Sequence, residues 1–181
     1  MSLLSLTDEE LMVQVQAGNA QAFELLFQRH GKGLFGYLRR RSGDEQRASE
    51  LFQDTWLKVH RFSDSYQAGQ PFKPWLFGIA VNTFRDSGRK QQRQVDTVAI
   101  EPDRPLGRSV PAAEHAQRLT LEKAIDALPD TLKDAFLLGV VHGMDHREIA
   151  AQLDISPANA RARISRARAF LRDYLRDGGA A

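Results

Sequence analysis

The stretch HREIAAQLDISPANARARISRARAFLR, residues 146–172, decides how this chain folds. From His146 to Leu153, the residues Ile149, Ala150 and Leu153 recur at helical spacing and form one inward stripe. Ala150 is small, so a second helix can cross close to it. Asp154, Ile155 and Ser156 make a tight turn, with Ile155 directed at the core beneath. Ser156 is an N-cap, and Pro157 takes the first helical position, where its missing N–H costs nothing. The next helix keeps Ile164, Ala167, Leu171 and Leu175 on one face. The whole reads as a helix-turn-helix. Between Ala158 and Arg176, six arginines (Arg161, Arg163, Arg166, Arg168, Arg172 and Arg176) stand against one acid, Asp173. Such a stripe is what a phosphate backbone attracts.

In this motif the start of the second helix enters the major groove. Asn159, Arg161, Ala162, Ser165 and Arg166 are predicted to point there. Arginine reads guanine edges with two hydrogen bonds and asparagine does the same for adenine. Arg163, Arg168 and Arg172 are better placed for phosphates, which fix register without reading sequence. A helical hairpin packed for structure alone would explain the turn but leave the arginine stripe idle.

Composition bounds the rest. The 181 residues allow one medium domain or two small helical ones, and 42% hydrophobic with 27% charged residues is an ordinary globular balance. The formal charge of +2 alone does not argue for nucleic acid. The chain has no cysteine, which excludes disulfides and thiolate metal sites. Residues 1–6 lack the basic start and apolar core of a signal peptide, and no stretch approaches roughly 18 apolar residues. A soluble, cytoplasmic protein without membrane insertion is the expectation. His142 and His146 have the i, i+4 spacing of paired metal ligands, but Gly143 interrupts them and Glu148 does not lie between them. They read as solvated or capping residues, and no metal, cofactor or catalytic constellation is expected. Gly31, Lys32 and Gly33 are too short a run for a phosphate loop and read as a local bend.

Towards the N-terminus nearly every segment reads as helix. Thr7 and Glu10 form a capping box. Asn19 caps a second helix with Phe23, Leu26, Phe27, Leu34 and Leu38 on its apolar side. Ser42 and Gly43 end it, and Asp44 caps a third. There Ala48, Leu51, Phe52, Thr55, Val59 and Phe62 form the apolar stripe, leaving Glu50, Gln53, Asp54, Leu57, Lys58 and Arg61 on the other face. Leu57 among polar neighbours suggests a protein contact. Residues 63–70 are loop-like, and a fourth helix runs from about Pro71 to about Lys90. Of the aromatics Phe62, Tyr66, Phe72 and Trp75, the first, third and fourth read as core. Tyr66 is the best candidate for stacking an unpaired base. No period-two alternation suggests a strand. From about Gln92 to Ala113 the periodicity dissolves among Pro102, Pro105, Gly107 and Pro111, which reads as a linker. Helices resume near Glu114, with Leu121, Ile125 and Leu128 on one stripe and a further helix from Thr131 to Val141. The predicted fold class is all-α, with domains over 1–91 and 114–181 and a linker over 92–113.

The segments AGNAQAF (17–23), ASELFQDTW (48–56) and FKPWLFGIAVN (72–82) resemble region 2 of extracytoplasmic-function (ECF) sigma factors, and ALP (127–129) with EIA (148–150) through RAR (166–168) resembles region 4. The resemblance covers both domains in order. It implies that region 2 binds the beta-prime clamp helices of core RNA polymerase through Gln53, Asp54 and Leu57. It implies that Lys58, the 63–70 loop including Ser63, Asp64 and Tyr66, and Asn82 melt the −10 element and capture a flipped base. Arg85, Arg89 and Lys90 would hold the strand. Region 4 would read the −35 element through Arg161, Ala162, Ser165 and Arg166, with Asn159, Arg163 and Arg168 also binding that DNA, and would meet the beta flap. Promoter DNA, core polymerase and an anti-sigma factor are the implied partners, and the free chain is expected to be a monomer. The run from His142 to Arg147 departs from the family's usual Gly-Leu-Ser-Tyr-like sequence. Asp154 stands where the turn usually has Gly, and Asp tolerates the left-handed conformation better than most residues. Two alternatives stay open on the residues alone: a stand-alone helix-turn-helix regulator, which would bind specific duplexes without polymerase, and a pure interaction protein, in which the arginines would be idle.

Overall fold

The computed structural model of the chain describes residues 2–94 and 121–176, with side chains to residue 89 in the first stretch. Among these the secondary structure is helical throughout, without a strand. The chain divides into two units, Met1–Arg93 and Gln94–Ala181.

In the first unit, α1 (Asp8–Gln16), α2 (Ala20–Ser42) and α3 (Glu45–Arg61) follow one another with short joints, and the longer stretch 62–71 leads to α4 (Phe72–Gln94). Each joint is written in cap chemistry. Thr7 Oγ1 accepts from the Glu10 amide while the Glu10 carboxylate accepts from the Thr7 amide, a complete capping box. Asn19 Oδ1 accepts from the Gln21 and Ala22 amides. Gly43 closes α2 at φ 71, a conformation open to glycine, and Asp44 caps α3. The helix α2 runs unbroken through Gly31 and Gly33. Leu11, Met12, Leu26, Leu34, Leu38, Leu51, Val59, Phe72, Leu76 and Phe77 fill the core. The helix α4 continues to Gln94, past the end expected near Lys90, and the rest of the expected linker, from 95, lies outside the described residues.

Trp56, left off the predicted α3 stripe, is buried beside Phe23, Phe27 and Phe52, with ring centroids at 5.6, 5.0 and 6.3 Å. Phe27 and Phe62, both assigned to apolar stripes, are exposed instead. Ala48, Leu51, Thr55 and Val59 of the predicted α3 stripe are buried with Trp56, whereas Phe62 is the C-cap beyond the end of that helix.

The second unit begins among the described residues with α5 (121–126), followed by α6 (Asp130–Phe136), α7 (His146–Leu153) and α8 (Pro157–Arg176). The predicted helix from Thr131 to Val141 is one α segment that widens into a π turn over Leu137–Val141. Lys133 is buried, and its ammonium donates to the Asp126 carbonyl at 2.8 Å. That bond satisfies a charge that would otherwise be costly to bury. Gly139 lies in the π turn against Ile149 of α7 and Ile164 of α8, so all three segments meet over a residue without a side chain.

The turn between α7 and α8 is as the sequence predicts. Asp145 accepts from the Arg147 and Glu148 amides, which hold its carboxyl below the usual carboxylate range, and Glu148 reaches back to the Asp145 amide. Ser156 Oγ accepts from the Asn159 amide at 3.1 Å. Asp154 is left-handed at φ 55, the one non-glycine residue with positive φ among those described. A left-handed L-residue costs up to about 1 kcal/mol relative to glycine. Asp154→Gly is therefore expected to stabilise the second unit by about 0.5–1 kcal/mol, read as a rise of a few degrees in thermal unfolding of the full chain followed by circular dichroism. An unchanged or lowered midpoint would show that the aspartate side chain compensates for the backbone.

Candidate nucleic-acid interfaces

Along α8 the exposed face carries Arg161, Ala162, Ser165, Arg166, Arg168 and Arg172. Arg161 and Ser165, and Ala162 and Arg166, are each one helical turn apart, so the four form a single patch near the helix start. Ala160, Ile164, Ala167 and Leu171 face the core. Leu175, expected on that inner face, is exposed. Asn159 and Arg163 behave differently from the rest. The Arg163 guanidinium donates from Nε to Asn159 Oδ1 at 3.2 Å and from Nη1 to the Thr131 carbonyl at 3.4 Å. The pair braces α8 against the start of α6, and both side chains are half-buried. Two residues expected to meet bases and phosphates are thus engaged within the unit.

In the first unit, Gln53, Asp54 and Leu57 are exposed on one stripe of α3, and Leu57 is 68% exposed. Beside them an open groove of about 1000 Å³ runs between α2 and α3, lined by Phe23, Phe27, Phe35, Phe52, Trp56 and Leu57 among others. The Trp56 indole N–H is buried and has no hydrogen-bond partner there.

Lys58 follows Leu57 in the same helix. Its ammonium is 3.5 Å from Asp86 Oδ2 of α4. Asn82, one turn before Asp86, is exposed, and Arg85 and Arg89 continue from it along the helix. Arg41 and Arg47 place their guanidinium groups 4.3 and 5.3 Å from the Phe84 ring centroid, enlarging this basic face. The side chain of Lys90 lies outside the described residues.

The 63–70 loop corrects one assignment. Tyr66 is only 3% exposed. Its ring packs edge-on to Trp75 at 5.2 Å and Phe72 at 6.3 Å, and its hydroxyl donates to the Gln70 carbonyl. Burial, together with the nearby Glu9 and Asp8 carboxylates, pushes the phenol up to about 12, so it stays a donor at any physiological pH. It cannot stack on a base in this conformation. The exposed ring is Phe62 at 45%, with the Arg61 guanidinium 5.8 Å from its centroid. Ser63 is half-buried, while Asp64 is exposed at the tip. The pattern of apolar spacing could not separate Phe62 from Tyr66, because the loop between them has no period.

A second cluster fixes α1 to α2. Burial raises the Asp8 carboxyl, but hydrogen bonds and charge from Arg29 and His30 outweigh it and leave the group below its ordinary value. Arg29 Nη1 is 2.8 Å from Asp8 Oδ1, and His30 Nε2 is 2.6 Å from Oδ2. Arg29 also donates to the Leu4 and Leu6 carbonyls. Among the described residues no group of three or more His, Asp or Glu is arranged to hold a metal, and no helix is long and apolar enough to cross a membrane.

Comparison with known proteins agrees with this geometry. Sigma-70 region 2 matches residues 26–94 and sigma-70 region 4 matches residues 118–171. The chain is 36% identical to the RNA polymerase sigma factor CarQ of Myxococcus xanthus over 91% of its own length and 95% of that protein's. It is 32% identical to the ECF RNA polymerase sigma-E factor of Salmonella typhimurium, covering 90% and 91% of the two chains. A solved structure of the sigma factor RpoE from Bartonella quintana, in complex with the anti-sigma factor NepR, superposes with a TM-score of 0.70 at 25% identity, over 87% of this chain and 98% of that one. With both sigma regions present in order and relatives matched almost end to end, the chain belongs to the extracytoplasmic-function sigma factors of RNA polymerase.

Proposed function

We propose that this sigma factor directs promoter-specific initiation through three surfaces: Gln53, Asp54 and Leu57 dock on core polymerase, the face of α3 and α4 around Lys58, Asp64, Asn82, Arg85 and Arg89 takes the melted −10 strand, and the Arg161–Arg168 face of α8 reads the −35 duplex. The first unit, expected over 1–91, supplies the first two surfaces, and the second, expected over 114–181, supplies the third. Sigma factors are non-catalytic initiation factors, and on this reading the polymerase supplies all the chemistry. The observation that carries the proposal is the position of the exposed arginines: Arg161 and Arg166 sit in the first three turns of the second helix of a helix-turn-helix, the part that enters the major groove. Phe62 replaces Tyr66 as the residue that stacks on an unpaired base. Arg163 and Asn159 hold the reading helix rather than read. The groove beside Leu57 suits an anti-sigma factor, which would cover the polymerase-docking stripe.

The test is anisotropy of a labelled promoter duplex titrated with the chain, with core polymerase and with both. Tight, sequence-dependent binding is expected only with both. Tight specific binding by the chain alone would instead make it a stand-alone regulator.

Asp86 is an acid within a basic strand-binding face and neutralises Lys58. The pair is exposed and contributes little to stability. Asp86→Asn is expected to raise holoenzyme affinity for single-stranded −10 DNA about two- to five-fold at low salt and to steepen the dependence of affinity on salt. Unchanged affinity would place the strand elsewhere.

A further inference from the structure

The 63–70 loop has an anchored side and a free side. Asp64, Ser65, Gln67, Ala68 and Gly69 are exposed. A 3-10 turn over Ser63–Ser65 opens the loop. A second turn closes it, with the Gln70 amide donating to the Gln67 carbonyl at 3.1 Å and Gly69 at φ 87. That left-handed position suits glycine. Neither turn by itself fixes the loop against the rest of the unit.

The Tyr66 ring anchors the loop on Phe72 and Trp75 of α4, and the polar restraints on its backbone come from α1, far away in sequence. Gln16 Nε2 donates to both the Ser63 and the Tyr66 carbonyls, each at 2.9 Å. One side-chain amide thus spends its N–H groups on two loop carbonyls three residues apart. At the other end of the loop, Glu9 Oε1 accepts from the Phe72 amide at 3.0 Å. Phe72 is the first residue of α4, so Glu9 caps that helix from another helix. Asp8, next to Glu9, ties α1 to α2 through Arg29 and His30. The helix α1 therefore bridges α2 to both ends of the loop, and Gln16 and Glu9 bond to the loop's carbonyls and closing amide, not to its exposed side.

We infer that Gln16 and Glu9 are positioning residues for −10 recognition: they fix the backbone of the 63–70 loop in the shape that discriminates the captured base. This rests on the reading of that loop as part of the −10 surface. Holding an unpaired base in a pocket repays the cost of unstacking only if the pocket exists before the base arrives. A loop released from α1 would still meet the strand through Lys58, Arg85 and Arg89, whose charge attracts any sequence. It would lose the choice among bases. The expected signature is therefore loss of discrimination with general affinity retained.

The experiment uses holoenzyme assembled from the full chain and core polymerase. Single-stranded oligonucleotides covering the −10 sequence of a mapped promoter, with each position varied to all four bases, are titrated by anisotropy. Wild type is expected to favour one base about ten-fold at one or more positions. Gln16→Met keeps the side-chain volume and removes both donors. It is expected to reduce that preference to about two-fold or less, with affinity for core polymerase and for the disfavoured oligonucleotides unchanged. Glu9→Met is expected to do the same, while Glu9→Gln, which keeps an acceptor for the Phe72 amide, retains the preference. Full preference in Gln16→Met alongside a wild-type preference would overturn this inference and leave the loop reading standing. Loss of core binding together with preference would also overturn it, since the role would then be general folding. A wild-type holoenzyme that binds all four bases equally would remove the loop reading and this inference with it.

Discussion

Replacing Arg161 and Arg166 together with alanine is expected to lower transcription from promoters used by this sigma factor by at least about 30-fold. Both side chains are exposed on the face of α8 proposed to enter the groove, and Ala162 and Ser165 beside them are too small to substitute. A guanidinium paired with a guanine edge contributes about 1–3 kcal/mol of discrimination, so two account for about 2–6 kcal/mol, and the lower bound is already a factor of about 30. The substitutions remove no buried side chain, so thermal unfolding should not move. Arg168→Ala is the contrasting case. Without its guanidinium on a phosphate, binding should weaken for all sequences alike and the salt slope should fall by about one. Equal effects of Arg161/Arg166 and Arg168 variants on cognate and scrambled −35 sequences would mean that α8 positions without reading.

Gly139→Val is expected to cost the second unit about 1–3 kcal/mol, the range for forcing extra methyls into a packed core. A Cβ at Gly139 would lie 2.8 Å from Ile164 Cδ1 and 3.0 Å from Ile149 Cδ1. Both isoleucines are buried, one on each helix of the helix-turn-helix. Alanine needs only those two side-chain tips to shift, and its better helix propensity offsets part of the clash, so Gly139→Ala should be close to neutral. Valine adds two more methyls at the same point and is a stiffer helix residue. Thermal unfolding of the full chain should show a midpoint lowered by several degrees for valine and by little for alanine. Because the same crossing sets the angle of α8, the valine variant should also lose −35-dependent transcription. A valine variant with wild-type stability would show that α6 can move away from the helix-turn-helix without cost.

Much of this architecture was readable as local chemistry. Thr7 with Glu10, Asn19, Gly43 with Asp44, and Ser156 with Pro157 each mark a helix end by a bond to a neighbour within a few residues, and each end is where these residues place it. The arginine stripe of α8 was legible for the same reason, since one helix fixes which residues share a face. What was not legible depends on partners distant in sequence. Tyr66 and Phe62 are four residues apart, and only α1 and α4 decide which one is covered. Arg163 looks like any other arginine of the stripe until Thr131 of α6 arrives beside it. Asp86 reads as a solvated acid until Lys58 reaches it from α3. The π turn at Leu137–Val141 has no spacing signal of its own, and Ile149 and Ile164, which meet over Gly139 within it, come from later helices. Trp56 lies off the α3 stripe and is buried against Phe23 and Phe27, which come from α2.

The central claim, that this chain turns core polymerase toward its own promoters, is tested most directly by run-off transcription with purified core polymerase on fragments of the source genome, with and without the protein. The expected result is a set of new start sites that share a common upstream −35 and −10 motif and vanish with the Arg161/Arg166 double variant. No new starts, together with specific duplex binding by the chain in the absence of polymerase, would contradict it.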